Sequence, residues 1–119
     1  MKSLLKGISL TSENPEATAT FYRTVAGLML EQIGDVNGFR YWKVDQDGMQ
    51  LAIHDAKAFA VYTFPARSDS NVTHLYFQIQ NHEQFLLHLA NLNLTPNAID
   101  AVVVTVTDPD GRKVMFGTA

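Results

Sequence analysis

The chain has 119 residues, a usual size for one domain, and its 46% hydrophobic and 18% charged residues indicate a globular core rather than a disordered chain. Its formal net charge of -3 argues against a general nucleic-acid-binding protein, which would carry a basic surface. The absence of cysteine excludes disulfide bonds, thiolate nucleophiles and cysteine-ligated metal sites. No apolar run is long enough for a signal peptide or for the ~20 residues of a membrane span, so we expect a cytoplasmic protein without a membrane partner.

The first half of the chain predicts one strand, one helix and three more strands. Alternation of apolar and polar or small residues over 4–12 is typical of a strand. Asn14 before Pro15 indicates a helix start, because the Asn side chain accepts a bond from a free amide and proline fits the first helical position. Gly27 is a typical residue just after a helix end. Further strands are predicted over 28–33, 39–44 and 49–54, separated by turns at 35–38 and 45–48.

The second half predicts the same series of elements. Residues 55–71 have no clear period and are expected to connect the halves, with a short strand at 60–64 as one alternative. A strand at 71–80 and a helix beginning after Asn81 follow. Strands are then predicted over 101–107 and 112–117, and the loop at 93–98 has room for another short strand.

The strand at 71–80 has two different faces. Leu75, Phe77 and Ile79 point one way, whereas His74 and Tyr76 point the other, because side chains change face at every residue of a strand. The polar face is either exposed to solvent or part of a pocket wall.

The two halves match as an internal repeat. A shift of 67 residues places Asn14 on Asn81 and Gly7 on His74, and a shift of 63 places the turn at 45–48 on the turn at 108–111. We therefore predict one α+β domain over 1–119 that contains two βαβββ modules, at about 4–54 and 72–117. Their curved mixed sheets would surround a cavity, with a helix on the opposite face of each sheet.

Three segments of the chain resemble the vicinal oxygen chelate superfamily, which includes glyoxalase I, bleomycin resistance proteins and extradiol dioxygenases. These segments are Asn14-Pro15-Glu16-Ala17-Thr18-Ala19-Thr20-Phe21-Tyr22, Thr73-His74-Leu75-Tyr76-Phe77-Gln78-Ile79 and Asp108-Pro109-Asp110-Gly111-Arg112-Lys113-Val114. The resemblance covers essentially the whole chain and implies a glyoxalase-like fold.

The resemblance also implies where a metal would be bound. Metalloenzymes of this superfamily use a His on the first strand and a Glu on the last strand of each module, and the repeat places these positions at Gly7, Ala52, His74 and Met115. Only His74 has a suitable donor, and one ligand does not hold a divalent ion. Gln50 and His54, on the same strand face as Ala52, are the alternative partners for His74 in a rearranged site. We predict no metal and no cofactor.

The expected function is binding of a small organic molecule in an aromatic-lined cavity without a metal, as the bleomycin-resistance branch implies. The predicted ligand-binding residues are His74, Tyr76, Ser9, Trp42, Gln50, His54 and Met115, although alternation does not decide which of Tyr41 and Trp42 faces the cavity. No catalytic residue is assigned. The resemblance also implies a homodimer.

Two other functions remain open. One is a metal-dependent lyase or dioxygenase of the glyoxalase or dioxygenase type that uses His74. The other is a structural or regulatory dimer with a vestigial cavity.

Overall fold

The computed structural model describes residue 2 and residues 4–34, 40–58 and 74–119. Module one contains β1 (Gly7–Ser12), α1 (Pro15–Thr24), β2 (Glu31–Ile33), β3 (Tyr41–Gln46) and β4 (Met49–Asp55). Module two contains β5 (His74–Gln78), α2 (His82–Asn91), β6 (Ala98–Ile99), β7 (Val103–Thr107) and β8 (Lys113–Gly117). The turn predicted at 35–38, the alternative strand at 60–64 and most of the connector at 55–71 lie outside the described residues.

Each module forms one mixed four-stranded sheet, and the two sheets have the same topology. Sheet 1 has the order β1-β4-β3-β2 and sheet 2 the order β5-β8-β7-β6. The first and last strands of each module are parallel, and the remaining neighbours are antiparallel. Ser9 lies opposite Ala52, and Tyr76 lies opposite Met115, so the strand register reproduces the 67- and 63-residue shifts of the repeat.

The two helices begin with the same cap. The Asn14 side chain accepts a hydrogen bond from the Ala17 amide at 3.1 Å, and Asn81 accepts one from the Gln84 amide at 2.9 Å. Each Asn thereby satisfies an amide that has no partner within its helix. The helix starts predicted at these two positions are confirmed.

The two modules share one hydrophobic core. α1 packs on sheet 1 and α2 on sheet 2, and a single cluster joins Tyr22 and Ile53 of module one to Leu89, Val114 and Phe116 of module two. Tyr22 is fully buried, and its ring lies 6.3 Å from that of Phe77. The faces that carry the helices are therefore directed to the core, and we call the opposite face of each sheet its open face.

A buried polar cluster also joins the modules, and we call it the turn cluster: Asp108, Asp110, Arg112, Tyr22 and Thr18. Arg112 Nη1 donates to Asp108 at 2.6 Å, and the Tyr22 hydroxyl donates to Asp108 at 2.7 Å. Thr18 donates to Asp110 at 2.6 Å. Burial, together with the adjacent Asp108 carboxylate, raises the pKa of Tyr22 far above its usual value, so this hydroxyl keeps its proton.

The helices in the described parts of the chain include none that is long and apolar enough to cross a membrane.

Candidate functional site

The open face of sheet 1 is polar. Its three cross-strand rows are Gly7–Gln50–Asp45, Ser9–Ala52–Lys43 and Thr11–His54–Tyr41. Hydrogen bonds from Lys43 at 2.8 Å and Gln50 at 3.3 Å lower the pKa of Asp45, so its carboxylate stays charged. Gln50 is thus oriented by its neighbour on the same face.

His54 lies in the middle of the third row and is buried. Its ring stacks on Tyr41 with centroids 4.9 Å apart and planes at 15°. Burial lowers the pKa of His54, because a charged imidazole would lose its hydration. The ring is therefore neutral at neutral pH. The stack also settles the alternative left by alternation: Tyr41, rather than Trp42, is on the open face.

The open face of sheet 2 has the matching rows His74–Lys113–Thr107, Tyr76–Met115–Thr105 and Gln78–Gly117–Val103. Tyr76 is 45% exposed, and its hydroxyl donates to the Ala119 carbonyl at 2.7 Å. Its ring lies over Gly117, where an added Cβ would come within 2.5 Å of the Tyr76 oxygen. The missing side chain of Gly117 therefore makes room for the tyrosine.

A cleft of about 460 Å³ lies between the modules and is lined by residues from both. Three of the predicted ligand-binding residues line it: His74, Tyr76 and Gln50. Most of the remaining wall is apolar, and it includes Ile8, Leu28, Val44, Leu51, Leu75 and Phe77. The volume is within the usual range for a small-molecule site, about 300–1,000 Å³.

The other four predicted residues lie elsewhere. Ser9, His54 and Met115 are on the open faces but do not line the cleft. The prediction that Trp42 binds the ligand is wrong, because Trp42 is on the helix face of β3, is 2% exposed and belongs to the hydrophobic core. A ligand bound on the open face therefore has no access to the Trp42 ring.

Sequence reasoning missed the apolar wall of the cleft. Alternation correctly placed Ile8 on the helix face of β1, where the natural expectation is complete burial. Ile8 is 37% exposed, because it lies in the gap between the modules. No local sequence signal reports such a gap.

Comparisons with known proteins identify the fold. No family model matches the chain, and no curated protein matches it. The structure does match solved structures: lactoylglutathione lyase from Agrobacterium tumefaciens, at 18% identity and a TM-score of 0.70, covers 98% of this chain and 93% of its own. A glyoxalase/bleomycin resistance protein/dioxygenase from Nocardioides matches with 16% identity and a TM-score of 0.74, over 98% of this chain and 83% of its own.

A fosfomycin resistance protein from Listeria monocytogenes, solved with Mn(II) and a dihydroxypropylphosphonic acid, is 16% identical with a TM-score of 0.72, over 100% of this chain and 94% of its own. The chain has the glyoxalase-like α+β fold of these structures. The fold predicted from the sequence is thus confirmed, and at these identities the likeness concerns the fold alone.

The residues at the four positions that the resemblance assigns to metal ligands do not fit a metal ion. Gly7, Ala52 and Met115 provide no nitrogen or oxygen side-chain donor beside His74. Position 7 also has no room for a side chain, since a Cβ there would lie 2.8 Å from the Gln50 carbonyl oxygen. Within the described residues, no three His, Cys, Asp or Glu side chains are grouped so that they could hold a metal.

Proposed function

We propose that this protein binds a small organic molecule in the cleft and on the adjoining open faces, without a metal ion. Binding or sequestration, as in the bleomycin-resistance type of protein, is the role to which this site is best suited. The observation that supports the proposal is the lack of a metal-binding side chain at Gly7, Ala52 and Met115, three of the four positions that the resemblance assigns to metal ligands, beside a largely apolar cleft. Such a cleft favours an apolar ligand, since transfer of apolar surface out of water is favourable.

His74, Tyr76 and Gln50 would fix the orientation of the bound molecule. The Tyr76 ring offers a flat contact surface that Gly117 and the Ala119 carbonyl hold in place. His74 and Gln50 offer polar groups at the edge of the same cleft. A few fixed polar groups on a mostly apolar wall are typical of specific small-molecule sites.

The metal-dependent lyase or dioxygenase remains the competing function, because a solved structure with this fold contains Mn(II). It would require His74 together with Gln50, His54 or a residue of a second chain. His54 argues against this set, because its ring is buried against Tyr41 in sheet 1 and does not line the cleft with His74.

We also propose that two copies of the chain pair. Among the strands that the structure describes, β1 and β5 are the edge strands of their sheets, and an edge strand offers a row of backbone groups for pairing. Ile8 on β1 and Tyr76 on β5 are exposed apolar residues beside these edges. Sedimentation equilibrium should give a dimer mass, and Ile8→Lys should shift the equilibrium toward monomer; a monomer mass at all concentrations would refute the pairing.

The binding proposal is tested by thermal unfolding with a small-molecule library in the presence of a chelator. A molecule at 100 times its dissociation constant should stabilise the fold by about 2.7 kcal/mol. Tyr76→Ala should reduce the shift because it removes the flat contact surface, whereas Leu87→Ala, an exposed helix position away from the cleft, should leave it unchanged. Molecules that stabilise the protein only after a metal ion is added back would favour the metal-dependent enzyme instead.

A further inference from the structure

The two open faces differ in charge. On sheet 1, Lys43 forms an ion pair with Asp45 at 2.8 Å. Glu31 on β2 lies opposite Lys43 and adds a second carboxylate to this face. On sheet 2, β5, β7 and β8 contain a lysine and a histidine but no carboxylate. The second face is therefore locally positive although the whole chain has a net charge of -3.

The lysine and the histidine are direct neighbours. His74 on β5 and Lys113 on β8 are opposite each other in the parallel ladder, so both side chains project from the same face. Both residues are exposed. An anion above this row would therefore contact both of them.

Lys113 is oriented without being neutralised. Its Nζ donates to Thr107 Oγ1 at 2.9 Å, and Thr107 in turn donates to Asn97 Oδ1 at 2.6 Å. An ammonium has three donors, so this arrangement leaves two for a ligand. No ion pair joins Lys113 to a carboxylate in the part of the chain that the structure describes.

His74 connects this row to the largely apolar cleft, because it lines the cleft and also stands opposite Lys113. We propose that the ligand is an amphiphilic organic anion: its apolar part lies in the cleft, and its carboxylate or sulfonate is bound by Lys113 and by a hydrogen bond from His74. This inference rests on the proposed binding function and adds the chemical class of the ligand. Hydrogen bonds from a cationic donor to an anionic acceptor are the stronger kind, which favours an acid over a neutral analogue.

Two fluorescent probes with the same ring system test the proposal. 8-Anilinonaphthalene-1-sulfonate is an anion, and N-phenyl-1-naphthylamine is its neutral counterpart without the sulfonate. Both are titrated with the full-length protein at low salt, where exposed charges are least screened. We expect the anion to bind about fivefold more tightly, which is the upper range for one exposed ion pair.

Lys113→Met should weaken binding of the anionic probe about fivefold and leave the neutral probe unchanged. Lys57→Met is the matched control, since Lys57 is an exposed lysine outside the cleft and the open-face rows, and it should change neither probe. Urea unfolding of both variants checks that the fold is retained. Equal affinities of the two probes for the unmodified protein, or an unchanged anion affinity in Lys113→Met, would overturn the anion site while leaving the cleft as a binding site. Binding of neither probe would overturn the proposed function as well.

Discussion

Removal of the Asp108 carboxylate should destabilise the protein far more than removal of its repeat counterpart Asp45. Asp108 has no exposed side-chain surface and accepts hydrogen bonds from Arg112 Nη1 at 2.6 Å and from the Tyr22 hydroxyl at 2.7 Å. It also accepts bonds from the amides of Asp110 at 2.8 Å and Arg112 at 2.9 Å. Asp108→Ala would leave the Arg112 guanidinium, whose side chain is 10% exposed, without its closest counter-charge.

Loss of one partner of a buried ion pair costs about 3–5 kcal/mol. We expect the lower end, about 3 kcal/mol, because Asp110 remains 3.7 Å from Arg112 and compensates part of the charge. With a urea m-value of about 1–3 kcal/mol/M, the unfolding midpoint should fall by about 1–3 M.

Asp45→Ala is the internal control for this measurement. Asp45 occupies the same position of the turn in module one, but its ion pair with Lys43 is exposed at the surface. Exposed ion pairs contribute little, so the midpoint should hardly change. Equal shifts for Asp45→Ala and Asp108→Ala would refute the role of the turn cluster in holding the two modules together.

Three further predictions concern the open faces. Gly7→Ala should destabilise the fold by about 1–3 kcal/mol in urea unfolding, because the new Cβ would approach the Gln50 carbonyl oxygen to 2.8 Å. An unchanged unfolding midpoint would show that β1 and β4 can move apart at this point without loss of stability. Gly117→Ala should cost a similar amount, about 1–3 kcal/mol, but much less in a Tyr76→Ala background, and additive effects in this double-mutant cycle would contradict the contact. Burial lowers the pKa of His54, so the contribution of this side chain to stability should be fully present above its unfolded-state pKa of about 6.5 and should fall as the pH drops below that value. His54→Gln should therefore reduce the loss of unfolding free energy at acid pH. A pH profile parallel to that of the unmodified protein would refute the role of the buried His54.

Local sequence signals predicted much of the fold because they depend on neighbouring residues. The helix caps at Asn14 and Asn81 follow from side-chain chemistry within one turn of helix. The alternation around Leu75 and Phe77 correctly separated core from open face on β5. The repeat then transferred these assignments between modules.

The remaining features depend on contacts between distant segments. The sequence around Tyr41 and Trp42 fits a strand with either residue directed to the core. Only the pairing of β3 with β4 decides that Trp42 is the buried one. Lys113 lies beside His74 only because of the parallel register of two strands that are far apart in the chain. The cleft depends on how the modules pack, which leaves Ile8 partly exposed.

Metal content tests most directly whether the proposed binding of an organic molecule occurs without a metal ion. The purified protein is incubated with zinc, nickel, manganese and iron(II), desalted and analysed by elemental mass spectrometry beside His74→Ala. We expect well under one metal ion per chain for each element, with no difference between the two proteins. One ion per chain that is lost in His74→Ala would contradict this expectation and would favour the metal-dependent enzyme.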